Sequence, residues 1–215
     1  MNKTKSLGLI ADRYHEADYI KKGLSPAFNA AGLEIAFSED GQKISAASLR
    51  ETDLLVIFRD GNGFDQPEHW ITPQQEQAIA DFVGDGGAFL PLHNALALYP
   101  KDGPYREVTA GHFIRHPAVR EFKVRVTNQE HPVTARVNDY TTQDEQHFIE
   151  CDEDRVTILL HSDDPEEGSS VAGYAYEFGK GRVCWLAQGH TIEGLLQPEY
   201  QIMLSNAIRW CLRQT

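Results

Sequence analysis

Residues 86–95 read Gly86-Gly87-Ala88-Phe89-Leu90-Pro91-Leu92-His93-Asn94-Ala95, and this stretch limits the fold more than any other. The apolar run from Ala88 to Leu92 is too short for a stable helix. It is also too continuous for a strand with one face in water, which would alternate. Such a run suits a central strand of a parallel sheet, covered on both faces. Open parallel α/β sheets bind ligands just beyond the carboxyl ends of their strands, and His93 falls there.

The flanking segments extend the pattern. Residues 6–11 and 53–58 read as two more buried strands, and 33–37 as a short alternating one. Residues 16–31 read as helical, restarted at Ser25-Pro26 and closed by Gly32. Thr72-Pro73-Gln74-Gln75 is a helix start with cap, first-turn proline and capping-box glutamine, and Ala78, Ile79, Phe82 and Val83 supply its apolar face. The order strand, helix, strand, strand, helix, strand implies crossover units and a largely parallel sheet. Residues 95–116 read as a long functional loop with short helical pieces. Strands are expected at 122–126, 145–149 and 156–160, and an acidic turn at 163–170. A hairpin is expected around Gly179-Lys180-Gly181, then a closing helix with Tyr200, Met203, Leu204, Ala207, Ile208 and Cys211 on one face. With no repeat or linker in sight, residues 1–215 are expected to form a single domain.

Charge narrows the partners. Twenty Lys and Arg against 32 Asp and Glu leave a formal charge of −12, which argues against nucleic acid or an anionic membrane surface. The apolar run behind the basic residues Met1 to Lys5 is too short for a signal peptide, and no stretch is long enough for a membrane span. Cys151, Cys184 and Cys211 are odd in number and form no CxxC, as expected of unpaired thiols in a reducing, cytoplasmic setting.

Residues 86–95 also resemble the GG-x-F-x-x-LH-S/N-A stretch of the trehalose-utilisation (ThuA-like) family. Residues 110–117 resemble its GG-x-F-x-x-HP block, with Ala110 in place of a glycine. His131-Pro132-Val133-Thr134 resembles its HP-I/V-T, and residues 144–147 its DE-x-Y, with His147 in place of tyrosine. Gly179-Lys180-Gly181-Arg182-Val183 and Gly189-His190 match its GKGRV and GH. The resemblance implies a class I glutamine amidotransferase-like fold, a flavodoxin-like three-layer α/β arrangement with a mostly parallel sheet flanked by helices. It also implies a role in carbohydrate catabolism, particularly of disaccharides oxidised to keto-sugars.

Amidotransferases carry a nucleophilic cysteine after the matching strand; this chain has His93 there. Histidine suits acid–base chemistry, because its ordinary pKa is about 6.5. His190 ends a late strand at the place resembling the amidotransferase histidine, and Glu145 is its expected carboxylate partner. These three are the catalytic candidates. On a strand, Glu145 and His147 would point the same way and Asp144 the opposite way. Asp12, Asp60, Asn62, Asn94, His112, His116, Asp144 and His147 are candidate contacts to sugar hydroxyls, which need donors and acceptors together. Tyr14, Phe64, Trp70 and Tyr99 offer aromatic faces to a sugar ring. His112 and His116 would share a face if helical and, with Glu145 and His190, would suit a divalent transition metal; the expected arrangement nevertheless has no cofactor. The expected function is His/Glu acid–base chemistry on a keto-sugar or disaccharide rather than Cys-dependent amide hydrolysis. Two alternatives stand beside it, a non-catalytic sugar-binding or regulatory module and a metal-dependent sugar hydrolase. The expected partner is a small carbohydrate, with self-association into a homo-oligomer left open.

Overall fold

A computed structural model describes residues 4–63 and 68–214. Its strands are β1 (Ser6–Ile10), β2 (Ile35–Ser38), β3 (Leu54–Phe58), β4 (Ala88–Pro91), β5 (Gly111–Arg115), β6 (Arg120–Val126), β7 (Tyr140–Asp144), β8 (Phe148–Cys151), β9 (Thr157–Asp164), β10 (Gly168–Phe178) and β11 (Gly181–Leu186). Its helices are α1 (Ala17–Ala31), α2 (Ala46–Leu49), α3 (Pro73–Gly84), α4 (Pro104–Thr109), α5 (Ile192–Leu195) and α6 (Pro198–Cys211).

Nine strands form one sheet in the order β2-β1-β3-β4-β11-β10-β9-β6-β7. Strands β2 to β11 of that order are parallel, and every pairing beyond β11 is antiparallel. The chain reverses its direction of growth between β1 and β3. Helix α1 therefore packs with α5 and α6, while α3 packs with α2 and α4. All five residues of β3 and all four of β4 are buried, as a strand sandwiched between two helical layers requires.

The topology also sets the site. Reversal points in such sheets leave a crevice at the strands' carboxyl ends. Across the antiparallel extension the direction alternates from β11 through β10, β9 and β6, so β7 again runs in the same sense as β4. The carboxyl end of β7, at Asp144, thus lies on the same sheet edge as the end of β4.

Several local expectations change. Helix α1 is continuous through Pro26 rather than restarted there. The proline removes one backbone donor, and the Ser25 hydroxyl bonds the Lys21 carbonyl within the same stretch (2.6 Å). Gly32 closes the helix in the left-handed region at φ 75°. Residues 145–149 are not one strand. Asp144 ends β7 by accepting the Glu145 amide with its own side chain (2.8 Å), and pairing resumes only at Phe148. The acidic turn shrinks to residues 165–167, because Asp163 and Asp164 pair within β9. Asp164 accepts the amides of Glu166 and Glu167, which closes that turn. The 95–116 segment carries α4 and β5, joined by Ala110 at φ 54°. That left-handed backbone favours glycine, the residue type found there in the resembling family. Among the described residues no helix is long and apolar enough to cross a membrane.

The Gly179–Gly181 turn packs against the end of α3 so closely that a Cβ on Gly181 would run into the Val83 and Gly87 carbonyl oxygens. Gly181→Ala is expected to lower stability by about 1–3 kcal/mol, as overpacking does. A Cβ on Gly84 would meet only the Phe178 ring at 3.8 Å, so Gly84→Ala is expected to stay near wild type. Urea denaturation midpoints of the two variants check this.

Candidate functional site

Four strand ends deliver side chains to one place. β1 leads to Asp12 and His15, β3 to Asp60, β4 to His93 and Asn94, and β11 to His190. The end of β7 adds Glu145 and His147. The resulting cavity holds about 370 Å³ and is lined by Tyr14, His15, Asp60, Asn94, Ala97, Leu98, Phe113, His116, Glu145, His147 and His190. That volume lies within the usual range of small-ligand sites. A larger groove on the opposite edge, at the start of β4, is lined by no histidine among the described residues.

His93 takes the strand-end position where the chain bends sharply into a short 3₁₀ turn, with φ 48°. It is wholly buried. Its Nδ1 lies 2.7 Å from the Ala187 carbonyl, an acceptor, so Nδ1 carries the proton and Nε2 presents its lone pair. That lone pair faces His15 Nε2 at 3.2 Å. His15 Nδ1 in turn bonds the Asp12 carboxylate (2.8 Å), which accepts only, so a neutral His15 ring likewise carries its proton on Nδ1 and turns its Nε2 lone pair toward His93. His190 Nδ1 lies 3.1 Å from His15 Nε2 and 3.3 Å from Glu145 Oε2. Glu145 also approaches His93 Nε2 (3.8 Å), His147 Nε2 (3.6 Å) and, through Oε1, His116 Nδ1 (3.4 Å).

Electrostatics follow from this packing. Burial, helped by His147 and His15 nearby, holds His93 well below its ordinary pKa. Burial likewise takes His147 down to about 4, against the pull of Glu145, and lowers His190. For Glu145 burial raises the pKa, but the His147 hydrogen bond and the other rings outweigh it and hold the carboxyl below its usual value. Burial and the Asp12 charge push Asp60 up to about 6. At neutral pH the floor therefore combines the neutral imidazoles of His93, His147 and His190 with an ionised Glu145. No lysine or arginine lines the cavity among the described residues.

Of the residues expected from sequence, His190, Glu145, Asp60, Asn94, His116 and His147 line the cavity. His93 stands directly behind it, its ring 6.1 Å from that of His190 and stacked on His147 at 4.1 Å. Asp12 is buried and fully engaged. Besides His15 it accepts the amides of Tyr14, His15 and Asp60, and the Asn94 side chain. It positions His15 rather than touching ligand. Asp144 is buried as well.

His112 does not join His116. The two belong to an extended segment rather than a helix, where four residues span about 13 Å, and His112 points into a separate niche with Leu96 and Tyr105. Asn62 lines no part of the cavity; its amide bonds Asp60 Oδ1 (3.0 Å). Trp70 and Tyr99 pack on each other in a loop, Tyr14 does reach the cavity, and Phe64 lies outside the described residues. His15, Ala97, Leu98 and Phe113 are the site residues that sequence reasoning missed. For His15 the signal was present: a carboxylate three residues earlier, in the turn that ends a buried strand.

The three cysteines carry no activated thiolate. Cys184 and Cys211 are buried core residues whose thiols burial pushes up, and burial raises half-buried Cys151 to about 11.

One carboxylate ties the two halves of the site together. Asp144 accepts the amides of Glu145 (2.8 Å), Gly189 (3.0 Å) and His190 (2.9 Å), which clamps the β7 end to the turn after β11. Burial pushes its pKa up to about 7 in spite of those donors. Asp144→Ala leaves these buried donors unmet and is expected to cost at least about 2 kcal/mol, measured by denaturant unfolding.

Comparison with known proteins agrees with this fold. The chain has the fold of a ThuA-like protein from Parabacteroides merdae ATCC 43184, with 15% identity, a TM-score of 0.78, and 98% of this chain and 90% of that one covered. A protein described as cytoplasmic from Salmonella typhimurium LT2 matches with 17% identity and a TM-score of 0.70, over 98% of this chain and 99% of that one. A β-galactosidase from Rahnella sp. R3 matches at 12% identity and a TM-score of 0.65, but over only 32% of its own length and 100% of this chain. These likenesses concern the fold. A search of curated proteins gave no match. The ThuA family model, described as trehalose utilisation, matches residues 5–211, and the chain belongs to that family.

Proposed function

We propose that the cavity takes an uncharged carbohydrate bearing a carbonyl group and moves protons at the carbon beside that carbonyl. The observation that carries this reading is Glu145, an ionised carboxylate at the cavity floor within 3.3–3.8 Å of four imidazole nitrogens. A carbonyl acidifies the adjacent C–H, so a positioned carboxylate can remove that proton without any covalent nucleophile. The charge then develops on the carbonyl oxygen, where N–H donors stabilise it. His190 and His116 line the same cavity and are placed to donate.

The absence of Lys and Arg from the described lining argues against a sugar phosphate or sugar acid, whose anionic group would meet Glu145 and Asp60 without a partner. Asp60 and Asn94 suit hydroxyl groups. The family's description, trehalose utilisation, supports a sugar substrate. His93, outside the open volume, serves as a positioning residue behind His147 and His15. The high thiol pKa values speak against Cys-dependent amide hydrolysis.

The test is proton NMR of the protein with 3-keto-trehalose and, separately, with trehalose. New resonances are expected from the keto-sugar alone. Line broadening with no new resonances would instead support a sugar-binding module. Glu145→Gln is expected to cut turnover about 10²–10⁴-fold, the range for losing a general base. Alkylation of accessible thiols is expected to leave turnover unchanged; loss in step with Cys151 modification would contradict the account.

A further inference from the structure

We infer that His15, His93, His190 and Glu145 form a binding site for one divalent transition-metal ion. The argument begins with protons. Asp12 and the Ala187 carbonyl both accept only, so they fix the Nδ1–H form of His15 and His93. In those neutral tautomers the two Nε2 atoms face each other 3.2 Å apart, each turning its lone pair toward the other. With nothing between them they repel; a cation between them satisfies both.

The spacing fits such an ion. Donors about 2.0–2.2 Å from a tetrahedral zinc lie about 3.3–3.5 Å from one another. Here His15 Nε2 lies 3.2 Å from His93 Nε2 and 3.1 Å from His190 Nδ1, while Glu145 Oε2 lies 3.3 Å from His190 Nδ1 and 3.8 Å from His93 Nε2. All four donor atoms fall within 4.8 Å of one another.

The surroundings are those of a built site. A carboxylate behind a ligating histidine orients the ring and raises its basicity, and Asp12 stands so behind His15. Asp12 is itself held by the Tyr14, His15 and Asp60 amides. Among the described residues no lysine or arginine lines the cavity to compete for Glu145. Three imidazoles and one carboxylate suit zinc, iron, nickel or copper rather than magnesium or calcium, which take all-oxygen shells. Since Glu145 and His190 line the cavity, an ion held there stands open to a sugar oxygen.

This inference replaces the His112 and His116 set suggested by sequence spacing. It also refines the preceding reading: His93, His15 and His190 serve as ligands, and proton transfer falls to Glu145 Oε1, beside His116. The metal site itself does not depend on which sugar is used.

The test takes the full-length protein, purified without chelator, and measures its metal content by plasma mass spectrometry. About one transition-metal ion per chain is expected. After removal with dipicolinate, Zn²⁺ titration by calorimetry should show one site, and Co²⁺ loading should give d–d absorption of a four- or five-coordinate ion. His15→Ala should abolish that site, and Asp12→Asn should weaken it about 10–100-fold. His161→Ala, a surface histidine on β9, should leave it intact; circular dichroism confirms that each variant is folded. Overturning results are wild-type protein that takes up no Zn²⁺ or Co²⁺, or uptake unchanged by His15→Ala. Metal binding without keto-sugar turnover would sustain this inference and defeat the sugar reading, while keto-sugar turnover by wild-type protein that takes up no Zn²⁺ or Co²⁺ would do the reverse.

Discussion

Everything at the site depends on two hydrogen bonds that fix where imidazole protons sit. The Ala187 carbonyl holds Nδ1 of His93 and the Asp12 carboxylate holds Nδ1 of His15. Both acceptors are buried and cannot donate, so neither ring has freedom of tautomer. Two lone pairs are thereby directed at one point, where His190 and Glu145 also arrive. A hydrogen bond to a carbonyl, worth about 1 kcal/mol in stability, here sets the chemistry of the whole cavity.

The fold supplies that convergence through strand direction. His15, His93 and His190 come from the ends of parallel strands, which a doubly wound sheet brings to one edge. Glu145 comes from the outermost strand of the antiparallel extension, and four successive reversals return its end to the same edge. Asp144 makes this arrangement rigid. It binds amides from both sides of the gap between β7 and the turn after β11, so Glu145 and His190 move together.

Much of the parallel half was legible in the sequence. Continuous apolar runs marked β1, β3 and β4, the Thr72–Gln75 capping box marked α3, and periodicity marked α6. His93 and His190 were legible as strand-end residues. Glu145 was reached through the family resemblance; it and His147 do face the same cavity, but residues 145–147 leave the ladder, so strand alternation is not the reason. The spacing of His112 and His116 misled because it presumed a helix where the chain pairs with β8. His15 was passed over although Asp12, three residues earlier in the same strand-end turn, signals it; what places it in the site is contact with residues 78 and 175 positions away. Local pattern carries no record of such contacts.

The measurement closest to the central claim is the tautomeric state of the buried histidines, read by long-range ¹H–¹⁵N correlation on ¹⁵N-labelled, metal-free protein at neutral pH. The account predicts that His15 and His93 both show the neutral Nδ1–H pattern, assigned through His15→Ala and the loss of the corresponding signals. An Nε2–H pattern at either ring would contradict it. That result would place a proton between the two rings, remove the convergent lone pairs, and leave the cluster an ordinary hydrogen-bonded core.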